Sequence, residues 1–299
     1  IQRLWHGDVN GKPALWLEGP AWNAVGNFLV FSDIPNNRQL RWIDDDGHVS
    51  EFRKPTGNSN GNIFDFQGRE ISMEHSNRRV TRYDLDGGST VLADSWNGKR
   101  LNSPNDAAAH SDGSIWFPDP PYGGQLYEGD VDQSGGPTNP DGKINARAGQ
   151  PSGFPMFKRE LPTQVYRIDP SGSRDAVIKD DQVPDPNGIC FSPDFKKLYV
   201  ASTGKGPGDK IAGGNGDMWV FDVSADGKSV SNMQKFSDCV VDGIKCGPDG
   251  VRSDIYGNIS SATSGIPVIG DLTAAPSGSG LSYMTAGIIV AIMITPIVT

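Results

Sequence analysis

Five stretches of this chain share one plan: a polar residue, a short strand-forming run, a tight turn and an alternating strand. The first begins at Glu18, "EGPAWNAVGNFLVFSD". The second begins at Asn60, "NGNIFDFQGREISM", and the third at Asn105, "NDAAAHSDGSIWFPD". The fourth begins at Asn187, "NGICFSPDFKKLYVAS", and the fifth at Asp249, "DGVRSDIYGNISSA". A turn glycine follows at a common offset as Gly26, Gly68, Gly113 and Gly257, and the fourth copy has Phe195 and Lys196 there instead. Recurrence at a fixed period constrains a fold more than any single motif, because each unit must bury its apolar face against the next.

The units are strands. "NFLVFSD", "REISMEH", "QVYRIDP", "KLYVAST" and "DMWVFDV" alternate apolar and polar residues, with Asp-Gly turns such as "DDDGHV", "DLDGGS" and "SADGKS" between runs. Nowhere is a period of 3.6 residues sustained, so the chain reads as all-β. The first three anchors are spaced by roughly 40–50 residues, the length of a four-stranded propeller blade. The reading is a single domain over residues 1–299, a six-bladed β-propeller. Between the third and fourth copies, about residues 123–160 show no period and read as a long loop insertion. Residues 259–299 are rich in small residues and read as an atypical, shortened last blade.

Composition narrows the function. Against 36 Asp and Glu there are 27 Lys and Arg, a net charge of -9, whereas nucleic-acid binders cluster basic residues to neutralise phosphates. No nucleic-acid partner is expected. The apolar run from Met284 to Val298 is short for a membrane span and carries Thr and Pro, so it reads as a buried strand pair with no membrane partner. Cys190, Cys239 and Cys246 form no C-x-x-C pair and read as small buried hydrophobes or one optional bridge. A first residue of Ile rather than Met is read as a removed leader or a trimmed start. The compartment is therefore left open between cytoplasmic and periplasmic or secreted after leader removal, and the oligomeric state is open too.

Equivalent positions in successive blades face one axis, so Glu18, Asn60, Asn105, Asn187 and Asp249 are expected to converge at one end of the channel. Carboxylate and amide oxygens brought together in this way suit a hard divalent cation. Glu18, Asn105, Asn187 and Asp249 are the expected ligand set for one ion. Ca²⁺ is favoured, and Mg²⁺, Mn²⁺ or Zn²⁺ remain compatible. The alternative is that each anchor caps its strand by bonding backbone groups, as Asn and Asp do in turns.

"LEGPAW", "NSNGN", "MEHSNRRVTRYD", "LNSPND", "GSIWFPDPPYG", "DPNGICFSPDFKKLYV" and "GPDGVRSD" together resemble the gluconolactonase / regucalcin (senescence marker protein) family of six-bladed propellers, and most closely its microbial gluconolactonase-like branch. The resemblance runs from Ile1 to about Asn258, after which the sequence departs from the family. It implies metal ligation by Glu18, Asn105, Asn187 and Asp249, with Asp249 also the base that activates water. The implied activity is hydrolysis of a small sugar-type lactone. Two other activities fit the same residues: hydrolysis of other esters or phosphotriesters at the same metal, and a non-catalytic calcium- or ligand-binding propeller.

Around the ligands, Asn60, His75, Asp106 and Tyr122 are the candidates for substrate binding. Asn60 shares the anchor register, Asp106 follows Asn105, and Tyr122 stands on the rigid "PDPPYGG" loop leading into the insertion. His75 ends the second copy's outgoing strand. His6, His48 and His110 show no metal-site spacing and read as surface residues, while Arg78, Arg79 and Arg82 read as a solvated strand edge.

Overall fold

The structure is a computed structural model, and it describes residues 8–14, 17–34, 36–123, 160–203, 216–241, 243–245 and 247–264. Regular structure in these residues is almost entirely strand. Four antiparallel sheets of four strands follow in chain order, each a meander of neighbouring strands. The first is Leu17–Asn23, Phe28–Asp33, Arg38–Ile43 and Val49–Arg53. The second is Ser59–Phe64, Glu70–Glu74, Arg79–Tyr83 and Ser89–Ala93. Ala108–Ala109, Ile115–Pro118, Val165–Ile168 and Arg174–Ile178 form the third. The fourth is Pro186–Phe191, Lys197–Ser202, Asp217–Val223 and Val230–Ser237. Gly247–Ser253 then pairs with Ile259–Ser264 to begin a fifth.

The first strand of each sheet packs against the first strand of the next, from Leu17–Asn23 through to Gly247–Ser253. That succession puts the five anchors side by side. Core clusters fill the spaces between sheets. Met73, Val80 and Leu101 of the second unit meet Phe117 and Tyr166 of the third, and Trp116 and Val165 of the third meet Ile189 and Leu198 of the fourth. Burying a Phe or Leu side chain in such a layer contributes roughly 1.5–3 kcal/mol. Trp22, by contrast, packs against the core of its own sheet and the segment before it, beside Leu17, Leu29 and Val9. That segment is tied down by Arg38, almost wholly buried, which pairs with Asp33 at 2.8 Å and donates to the carbonyls of Val9 and Lys12.

The inner hairpin turns keep the register expected from the repeats, with one shift. Gly68, Gly113 and Gly257 take positive φ, which glycine does without Cβ strain. In the first copy the left-handed residue is Asn27, one position after Gly26. In the fourth it is Phe195, at φ 58°. A bulky residue there is strained, and Phe195 is held by ring contacts with Phe66, His110 and Phe191.

The long insertion joins the second and third strands of the third sheet. Residues 124–159 of it lie outside the described residues, as do 265–299, including Met284–Val298. The count of six blades, the shortened last blade and the strand pair are therefore not part of what is described. Cys190 is buried with Ala201, Met218 and Val251, and neither it nor Cys239 is in a disulfide. Among the described residues no helix is long and apolar enough to cross a membrane.

Candidate active site

Four of the five inner strands carry a β-bulge at the anchor end. The register slips by one residue between Glu18 and Ala21, between Ser59 and Asn62, between Pro186 and Ile189, and between Pro248 and Val251. A bulge re-aims a side chain out of the ladder's alternation. Here Asn60, Asn187 and Asp249 lie within the slip, and Glu18 stands at its edge.

The residue after an anchor is glycine in four of the five copies, and the reason is steric. A Cβ on Gly19 would collide with the backbone carbonyl of Asn60, and one on Gly61 with that of Asn105. A Cβ on Gly188 would collide with the carbonyl of Asp249. Each glycine thus makes room for the next anchor. The Gly61 N–H also donates to the Asn105 carbonyl at 2.7 Å, and the Asn60 carbonyl accepts from Ser32 Oγ at 2.8 Å and Asn62 Nδ2 at 3.1 Å.

The anchors meet at a cleft of about 310 Å³, open mouth included, lined by Glu18, Asn60, Asn105, Asp249 and their neighbours Asp106 and Arg252. Asn187 is not among the lining residues, but its side-chain amide hydrogen-bonds the Asp249 carboxylate. Burial, and then the negative charge of Asp106, push the Asp249 carboxyl above the usual carboxylate range, against the hydrogen bond from Asn187.

The other substrate-binding candidates sit elsewhere. His75 is fully buried and does not line the cleft; the backbone of Gly123 lies so close that a Cβ there would be 2.6 Å from its ring. Burial pulls its pKa down to about 3, so the ring is neutral. Tyr122 is buried and donates to the Asp185 carbonyl at 3.3 Å, two residues from Asn187. Asp185 itself is held at φ 46°, a conformation uncommon outside glycine.

Two sequence expectations change. His110 is buried rather than at the surface, with its ring against Phe191 and Phe195 and Nδ1 3.0 Å from Asp112; His48 is exposed. Arg78 is also buried, because its Nε donates to the carbonyls of Leu101 and Asn102 at 2.6 and 3.2 Å. Arg79 and Arg82 pair with Glu74 and Asp84.

One charged residue of the cleft lining was not singled out from the sequence. Arg252, inside the quoted "GPDGVRSD", grips Asp106 with both ends of its guanidinium; a charged residue on an inner strand was the available signal. Asp119 is completely buried at the neck of the insertion and accepts from the Asn102 N–H at 2.7 Å. Burial pushes its carboxyl up to about 7, although backbone donors and Arg78 pull the other way. The neck stands at the cleft's end of the third sheet, since Asn105 N–H donates to the Pro118 carbonyl at 3.2 Å and Asp119 N–H to that of Gln164 at 2.9 Å.

The fold and cleft define an all-β protein of successive four-stranded meanders whose inner strands bring oxygen-bearing side chains to one end. The chain belongs to the SMP-30/Gluconolactonase/LRE-like family, whose family model matches residues 16–274. It is similar to a gluconolactonase of Zymomonas mobilis, 30% identical over 93% of this chain and 72% of that protein. A solved gluconolactonase from Xanthomonas campestris superposes with a TM-score of 0.64 at 32% identity, covering 87% of this chain and 72% of that one. A calcium-binding regucalcin from Agrobacterium tumefaciens gives 0.57 at 19% identity, covering 84% and 68%, a likeness of fold alone.

Proposed function

We propose that this chain is a lactonase, a carboxylic-ester hydrolase that opens a small sugar-type lactone with water activated at one divalent cation. Glu18, Asn105, Asn187 and Asp249 would hold the ion. The observation that carries the reading is the meeting of carboxylate and amide oxygens from four different sheets at one cleft, in a chain 30% identical to a gluconolactonase along most of its length.

The donor set fits the group. Among the described residues no cluster of three or more His, Cys, Asp or Glu could hold a metal, so any ion must draw on amide oxygens as well. Asn187 Oδ1 answers that need: it is buried with no hydrogen-bond partner, while the other end of the same amide is committed to Asp249. Leaving a buried acceptor unsatisfied is costly, and a cation would satisfy it. Hard oxygen donors favour Ca²⁺, and Mg²⁺, Mn²⁺ and Zn²⁺ remain compatible.

When bound, the cation would polarise the lactone carbonyl and acidify a water. The rest falls to the chain. Asp249 takes the proton from water as its oxygen bonds to the acyl carbon, and its raised proton affinity suits a general base. The bond from the acyl carbon to the ring oxygen then breaks, and that oxygen leaves as a hydroxyl, taking the proton that Asp249 accepted. The product is an open hydroxy acid. Asn60 and Asp106 line the cleft where the sugar hydroxyls would lie. His75 and Tyr122, the other two substrate-binding candidates, lie outside this lining. The reading takes residues 1–299 as one domain, a six-bladed propeller of which four complete sheets and the start of a fifth fall within the described residues.

The test follows acid release from D-glucono-1,5-lactone with and without a chelator, on wild type and on Asp249→Ala. Turnover that the chelator abolishes, that added metal restores, and that Asp249→Ala lacks is the expected result. A folded, metal-loaded protein inert on a panel of lactones would overturn it.

A further inference from the structure

Asp106 stands where the other four anchors are followed by glycine, and its carboxylate is engaged on three sides. Arg252 donates from Nη1 to one oxygen at 2.6 Å and from Nη2 to the other at 2.9 Å. The Ile189 N–H reaches Oδ2 at 3.4 Å, and the Ala107 N–H reaches Oδ1 at 2.9 Å. Arg252 is itself steadied by the Val251 carbonyl, 2.7 Å from Nη1.

The positions of these partners matter more than their number. Asp106 follows Asn105 directly, Ile189 lies two residues beyond Asn187, and Arg252 lies three residues beyond Asp249 on the same strand. One carboxylate therefore ties the third, fourth and fifth sheets together beside three of the four proposed ligands. Ladder hydrogen bonds are confined within each sheet, and the other links between these sheets are side-chain packing and single hydrogen bonds, such as those from Tyr122 to the Asp185 carbonyl, Thr203 Oγ1 to the Pro248 carbonyl and Ser253 Oγ to the Phe191 carbonyl. A single hydrogen bond leaves its partners free to pivot. A guanidinium in bidentate contact fixes both distance and angle, because donors and acceptors are coplanar forks.

We propose that Arg252 is a positioning residue that, acting through Asp106, sets the spacing of Asn105, Asn187 and Asp249 and so the affinity of the cleft for a divalent cation. The proposal rests on the cation-binding reading above. Its rival is that Arg252, which also lines the cleft, contacts the substrate directly.

Calorimetric titration of the chelator-treated full chain with Mn²⁺ and with Ca²⁺, on wild type, Arg252→Gln, Arg252→Lys, Asp106→Asn and the Arg252→Gln/Asp106→Asn double variant, separates them. The melting temperature of each metal-free protein and the KM for D-glucono-1,5-lactone at saturating cation are read alongside. Arg252→Gln is expected to weaken cation binding by about 10–100-fold, the usual effect of losing a group that orients a ligand. Arg252→Lys keeps the charge without the fork and should recover only part of that loss. The double variant should bind no more weakly than the worse single one, since both changes remove the same link, and the KM of Arg252→Gln should stay near wild type. Unchanged cation affinity in Arg252→Gln, with or without a raised KM, overturns the proposal, as do losses that simply add in the double variant. A wild type that binds neither cation overturns the metal reading itself, and the two failures are told apart by that control.

Discussion

Gly188 lies beneath the backbone carbonyl of Asp249, closer than any Cβ could stand, and Val251 N crowds the same space at 2.6 Å from the missing atom. The obstacle is backbone of the neighbouring sheet, which cannot swing aside as a long side chain would. Gly188→Ala must therefore push the fourth and fifth sheets apart at the cleft. Overpacking of this kind costs typically about 1–3 kcal/mol. Thermal melts should show the loss, and kcat/KM should fall further than the melt alone explains because Asp249 is displaced. An alanine variant with wild-type stability and activity would show that the close approach does not set the site.

Asp249→Asn keeps the shape and the hydrogen-bonding reach of the side chain and removes its basicity. Loss of a general base lowers turnover by about 10²–10⁴-fold. With cation added to saturation, steady-state kinetics on D-glucono-1,5-lactone should show that fall in kcat while the melting temperature holds near wild type. A loss confined to KM would place Asp249 in substrate binding instead.

Removing the cation should cost stability as well as activity. A ligand present at 100 times its Kd stabilises the state that binds it by about 2.7 kcal/mol. Melts in chelator should therefore lie below melts in excess Ca²⁺ or Mn²⁺, with the gap growing as the logarithm of free cation. Coincident melts would argue that no ion is held by the native chain.

Asp119 gives a pH signature separate from the cleft. Its carboxyl titrates near 7 in the folded chain, against about 3.9 in an unfolded one. With the folded value raised, this group's stabilising contribution is full below about pH 4 and is lost as pH rises through 7. Asp119→Asn cannot ionise. The stability of wild type minus that of Asp119→Asn should thus shrink between those limits, by up to a few kcal/mol at about 1.4 kcal/mol per pKa unit. Denaturant unfolding of both proteins across that range measures it, and a difference that stays flat would mean that Arg78 and the backbone donors hold the carboxylate ionised throughout.

Arg38 offers a stability test remote from the cleft. Removing one partner of a buried ion pair leaves the other charge uncompensated, at about 3–5 kcal/mol. Arg38→Ala takes the guanidinium from Asp33, which keeps the Asn36 amide, and frees the carbonyls of Val9 and Lys12, so a melt lowered by that order is expected. A variant as stable as wild type would show that residues 8–14 dock without it.

Much of the architecture was legible because strand patterning and turn chemistry are local. The recurrence of anchor, strand and turn located the inner hairpin of every described sheet, and the convergence of Glu18, Asn60, Asn105 and Asp249 on one cleft follows from it. Differences arise where a local signal is degenerate. Gly26 lies within the first turn, residues 24–27, as the repeat places it, but the left-handed residue there is Asn27, because glycine and asparagine both tolerate positive φ. Histidine and arginine are polar by type, so His110 and Arg78 read as surface groups; the Phe191 and Phe195 rings and the Leu101 and Asn102 carbonyls that receive them come from distant segments.

What the sequence determined by itself was the set of residue types at repeating positions, because a period of side chains is written in the chain. Tertiary structure alone decided how those residues are used. The glycines that follow the anchors are legible as letters, yet only the neighbouring sheet supplies the carbonyl that forbids a Cβ at Gly188. Arg252 and Asp106 are legible too, but 146 positions separate them, and only the packing of the third sheet beside the fourth and fifth brings their charges within hydrogen-bond reach.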